Sequence, residues 1–329
     1  MNIQIQGMRP NLLIFRFEKI SRLAFIKIIT EFNIFSYKTQ KLSENYIDAA
    51  LEQDELYKSL LPELEKLEAI TKKEHFQTLG QLLDAEIAIS EFAFSGFIKK
   101  LSTNSLPELN RLAENICLQR GVSCPARQND TIKNCQVSET PRQQEIKLLD
   151  VDRSFENKIL FYYLRASSTE NTEKVLERVE LLTMEQKEIM FQNIFSAGIS
   201  TCLPKIILEH QFCSLQLSDT LHNFQALMLC PQTRLFFEPF STKHGYLMPE
   251  SIIPAGQQEL FLTTMEKIKK YFLETGNQYI IPQIFRQNAL VSLNLLQSFI
   301  IKRQQAQSVL INQLLNQIYQ ELPFLKTLN

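Results

Sequence analysis

The chain has 329 residues, of which 44% are hydrophobic, with no tryptophan and only 8 glycines, enough for one large or two ordinary domains. Glycine stands at about a third of ordinary usage, and the motif patterns GxGxxG and GxxxxGK[ST] are absent. That excludes glycine-cradled nucleotide sites and argues against a hairpin-rich β fold. With 35 basic against 36 acidic residues, a net charge of −1 gives no general attraction to nucleic acid or to an anionic membrane.

Taken in chain order, nearly every segment reads at helical period. Residues 10–35 predict a long apolar helix carrying an arc of arginine and lysine. Ser43 caps a second helix with Ile47, Leu51 and Leu56 inside, and Pro62 opens a third. Further helices are predicted over 76–101 and 105–120, the last closed by Gly121. Residues 121–143 lack periodicity and hold two prolines, which marks a linker. Helices resume at 143–167, 172–182, 185–197 and 201–210, and again at 257–275, 281–301 and 308–322. Gly198 and Gly276 fall where left-handed helix ends belong. The expected fold class is therefore all-α, an N-terminal helical bundle over 1–120 followed by an irregular, solenoid-like helical-repeat domain over 143–329. An aromatic, proline-rich loop at 231–256 interrupts the second part.

Ser-Thr pairs recur at 102–103, 168–169 and 200–201, with an apolar residue five before each serine (Phe97, Tyr163, Phe195) and seven after (Leu109, Val175, Ile207). An interval near 32 residues is that of helical-repeat arrays. The stretch 203–228 resembles an ankyrin repeat: Pro204–His210 is similar to its second helix, Asp219-Thr220-Leu221-His222 to its Thr-Pro-Leu-His start without the proline, and Ala226 to its small inner position. The resemblance spans residues 158–230 and leaves a TPR-like array open, because the loop glycines of ankyrin repeats are missing. It implies stacked helix pairs that bind another protein. In composition the chain also resembles effectors that intracellular bacteria such as Legionella deliver into host cells, which implies the cytoplasm, including that of a host, as its location.

Six cysteines without a CxxC read as reduced thiols. A catalytic set drawn from Cys202, Cys213 or Cys230 with His210 or His222 needs a depressed thiol pKa. A zinc site from Cys202, His210, Cys213 and His222 lacks the usual paired spacing. Asp150-Val-Asp152 matches the metal-binding DxD pattern but falls in a predicted helix, where residues two apart diverge. Neither cofactor nor metal is expected. Arg16, Lys19, Arg22 and Lys27 are the residues a membrane surface would meet, although burial with snorkelling stems is the plainer reading. Phe236, Phe237, Phe240, His244 and Tyr246 are the candidate partner-binding set. The function expected is a non-enzymatic protein-binding module with a protein, not nucleic acid, as partner. An unfamiliar helical enzyme using Cys and His within 202–244 and a membrane-surface protein are the alternatives.

Overall fold

A computed structural model describes residues 2–9, 12–31, 36–41, 54–71, 76–104, 106–120, 145–228, 234–303 and 308–327. It overturns the all-α expectation. Two four-stranded sheets organise the chain, so neither an ankyrin nor a TPR array is present, and the N-terminal part is not a helical bundle. Among the described residues, no helix is long and apolar enough to cross a membrane.

Contacts divide the chain into two compact units. Unit 1 holds residues 1–143, 219–222 and 237–287. Its sheet runs β1 (Asn2–Arg9), β2 (Leu12–Ser21), β4 (Leu82–Ser90), β3 (Ser36–Lys41) in spatial order, and every pairing is antiparallel. The period along β2 is two rather than 3.6: Leu13, Phe15 and Phe17 face the core, while Arg16 points out to a 2.7 Å ion pair with Glu86 of β4. Lys19 sits at φ 58 where the β2–β4 register shifts. This bulge returns Ile20 and Ser21 to the buried side. Helix α1 (Arg22–Glu31) begins only there. The predicted helix over 10–35 is therefore a strand followed by a short helix. In the same way, the predicted helix at 76–101 is a turn, then β4, then α3 (Phe94–Ser102).

Helix α2 (Glu55–Thr71) contains Pro62 in its interior, and α4 (Pro107–Arg120) follows α3. Glu108, in the first turn of α4, is buried and accepts hydrogen bonds from the Ser21 backbone N–H at 2.9 Å and from Ser21 Oγ at 2.5 Å. Ser21 Oγ in turn accepts from the N–H of Ala24, so one carboxylate anchors the start of α1.

Unit 2 holds residues 144–218, 223–236 and 288–329. The second sheet has the order β5 (Glu145–Val151), β6 (Gln211–Thr220), β8 (Arg286–Asn294), β7 (Arg234–Phe237). Strand for strand this repeats the first order. β2 and β6 have 10 residues each and β4 and β8 have 9 each. After each central strand comes a helix, α1 or α10 (Leu221–Met228). A longer helix precedes the next central strand, α2 or α11 (Gln258–Thr275). Two more close each half, α3 and α4 or α12 (Leu295–Arg303) and α13 (Val309–Glu321).

The chain thus repeats one order of elements at an interval of about 200 residues, not a repeat of 32. One difference stands out. Where β1 and β2 nearly touch in sequence, β5 and β6 are separated by five inserted helices: α5 (Phe155–Ser167), α6 (Thr172–Glu180), α7 (Met184–Ala197), α8 (Ile199–Cys202) and α9 (Lys205–Leu208). The ankyrin-like stretch 203–228 is α9, β6 and α10, and Asp219–His222 is the junction of a strand with a helix. Gly276 does close α11 in the left-handed conformation, at φ 66.

Candidate functional site

The site is built around β5, the outer strand of the second sheet. Ile146 and Leu148 are half-buried and Lys147 exposed, the alternation of a strand with one covered face. Leu148 pairs with Leu215 and Asp150 with Ser214, which leaves Leu149 as an extra, exposed residue in a bulge. None of the residues 146–151 is buried. The inner edge of β5 is consumed by β6. Along the outer edge, no described backbone group bonds to residues 146–151.

Asp152 ends the strand. Its N–H donates to the Phe212 carbonyl at 2.7 Å, and its Oδ1 accepts from the N–H and Oγ of Ser154 at 3.0 and 2.6 Å, turning the chain into α5. Oδ2 accepts from Lys158 Nζ at 2.6 Å and lies 2.8 Å from His210 Nε2. Burial acts to raise the Asp152 pKa. Hydrogen bonds from Lys158, Ser154 and His210, with the charge of Lys158, outweigh it and hold the carboxyl well below the usual carboxylate range. Phe155 stacks on the His210 ring and on Phe212. The end of β5 is therefore fixed to the start of β6 by both charge and ring packing.

Helix α13 lies beside β5 and presents Gln317 and Glu321, four residues apart on one face. Together with residues 146–151 and Arg153 they line an open cleft of about 750 Å³. Arg153 spans it to Glu321 at 3.0 Å. The cleft thus offers strand main-chain groups that no described residue pairs on the outer side, a small apolar contribution from Ile146, Leu148 and Leu149, and side chains of both signs, Lys147 and Arg153 against Asp150 and Glu321. That inventory suits recognition of an extended backbone. Sequence reasoning missed these residues because it placed 143–167 in one helix. The signal was the alternation of EIKLLDV.

The candidates named from sequence are dispersed. In the 231–256 loop, Phe240 is buried against Phe237. Tyr246 packs edge-on to Phe261 and Phe285, and His244 approaches Glu238 at 4.0 Å. Of the five, Phe236 alone is exposed, at 63%. The loop is also tied by backbone bonds from Arg286 to Gly245 and from Leu247 to Ile284.

The four cations share no helix face. Arg16 is on β2 beside Glu86, Lys19 lies in the bulge with its N–H on Asp84, and Arg22 bonds Gln77. Only Lys27 lies well inside α1, where burial lowers its pKa against a partial offset from Glu31. The basic amphipathic helix drawn from the sequence does not form.

Cys213 is buried and its thiol pKa is pushed up to about 12, by burial first and then by Asp150. This is the reverse of an activated nucleophile. His222 belongs to unit 1 while Cys202, His210 and Cys213 belong to unit 2. Among the described residues, no group of three or more His, Cys, Asp or Glu is placed to hold a metal ion. Asp150 and Asp152 lie on a strand and its end, not on a helix, and Asp152 is taken up by Ser154, Lys158 and His210. Ser43, the predicted second helix cap, and Cys230 lie outside the described residues. Comparison with known protein families, curated proteins and solved structures found no match.

Proposed function

We propose that this chain is a non-enzymatic protein-binding module that accepts an extended segment of a partner protein along the outer edge of β5. One observation carries the reading: an edge strand that lines a cleft of about 750 Å³ and whose outer side pairs with no other strand among the described residues. Free edges invite strand addition, and proteins that do not use them commonly shorten, cover or protect them. Here the bulge at Leu149 and the Arg153–Glu321 pair bound the accessible stretch, so an added segment would be short. Main-chain bonds would supply affinity, and the charges of Lys147, Asp150, Arg153 and Glu321 would supply register and selectivity. Cys202 and Cys213 stand as thiols, which supports placing the module in the reducing cytosol.

Amide hydrogen exchange on the full chain, with and without a partner captured from lysate, tests the reading. Exchange should slow at alternate amides within residues 146–151 when the partner is bound. A bound partner that leaves exchange across 145–153 unchanged removes β5 as the docking element.

A further inference from the structure

The inserted helices of unit 2 have no counterpart in the first half, and they carry apolar surface that the core does not use. Leu181 and Met184 flank the turn between α6 and α7 and are 82% and 78% exposed. Ile189 and Leu176, on the same two helices, are 57% and 46% exposed. The inward sides of these helices are already filled by Val175 and Val179 on α6 and by Phe191, Ile194 and Phe195 on α7.

The turn itself is well fixed. Asn171 caps α6 through the N–H of Lys174. Thr183 and Gln186 form a reciprocal capping box that starts α7 one residue before Met184. A locally determined turn that holds a leucine and a methionine in water is a presented surface rather than a frayed one.

Charge identifies what would cover it. Between residues 170 and 188 there are six glutamates and three cations. Arg178 is turned to Glu170 and Lys187 to Glu156. Among the described residues, Glu173, Glu177, Glu180, Glu185 and Glu188 have no cationic partner, and Lys174 is the only cation left among them. We infer that the turn between α6 and α7 is a second docking surface, built for a basic amphipathic helix of a partner protein. The partner's apolar stripe covers Leu181 and Met184, and its lysines or arginines meet the surrounding glutamates. An anionic membrane is repelled by the same rim. The surface shares no residue with the β5 cleft, so this inference and the strand-addition reading can fail separately.

The probe is a synthetic Leu/Lys amphipathic helix titrated into the full chain and followed by fluorescence anisotropy. A Leu/Glu helix of the same pattern and a Ser/Lys peptide lacking the apolar stripe serve as comparators. Saturable binding of the Leu/Lys peptide alone is expected, weakening with added salt. Leu181→Ser with Met184→Ser should weaken it at least tenfold, and Glu180→Gln with Glu185→Gln should weaken it and flatten the salt dependence. All four side chains are solvent-facing, and circular dichroism checks that each variant keeps its fold. Failure of the Leu/Lys peptide to bind, equal binding of the Leu/Glu helix, or unchanged affinity in the serine variant overturns the inference.

Discussion

The two sheets share a strand order and closely similar strand lengths, yet their surroundings are stabilised by different chemistry. In the first half, the opening turn of α4 carries Glu108, a buried carboxylate satisfied by the backbone and hydroxyl of Ser21. The equivalent place in α13, also the second residue of its helix, is Leu310, which is 1% exposed. Unit 2 has its own anchoring carboxylate, Asp152, at the end of an edge strand and partly open to solvent, bonded to Lys158 and His210. The common frame is set by periodicity and packing. The polar anchors stand at different junctions in the two halves, and each is tolerated only where its donors are in place.

Exchanging the two helix positions is the strongest way to break this comparison. Leu310→Glu buries a carboxylate with no provided donors and should cost about 4 kcal/mol or more, or leave the protein unfolded, as read by urea denaturation. The reverse exchange, Glu108→Leu, strands the Ser21 N–H and hydroxyl and should cost about 2–4 kcal/mol. Roughly equal small losses in both variants would mean that the two positions are not held by different chemistry.

The smallest expected effect concerns Asp152. Because Lys158 and His210 are partly exposed, Asp152→Asn should cost only about 1 kcal/mol at neutral pH. A carboxyl with a depressed folded-state pKa stabilises the protein at pH values above its unfolded pKa of about 4 and loses that contribution as the pH falls. The gap between wild type and Asp152→Asn should therefore be full at pH 7 and shrink progressively below about pH 4. A gap that widens in acid would contradict the assignment.

Several elements were legible in the sequence. Helices α11 and α13 were predicted within a residue or two, with the left-handed end at Gly276; the cap of α13, Ser308, whose Oγ accepts the Ile311 N–H, was not singled out. The strands were not, for two physical reasons. Scarce glycine argues against tight hairpins, not against sheets, and only β1 and β2 lie within a few residues of each other in sequence among the described strands. Helices stand between the other consecutive strands, and helices need little glycine. Secondly, each central strand runs into a helix without a breaker. Phe15 and Phe17 at period two are followed at once by Leu23, Ile26 and Ile28 at helical period, so a window spanning both reads as one helix. The β5 cleft was hidden by the same blending, since Asp152 and Ser154 mark its boundary only through a side-chain turn. The repeated order of elements escaped because the two halves, as at Glu108 and Leu310, share topology and not residue identity.

The long helical detour between β5 and β6 also bears on biosynthesis. Val151 must find Cys213, and β6, to which Cys213 belongs, must in turn wait for β8, the last of the described strands in chain order. Pairings this distant along the chain close slowly. During translation the nascent β5 stays without its neighbour until more than 60 further residues are made, the interval in which a chaperone has most to protect.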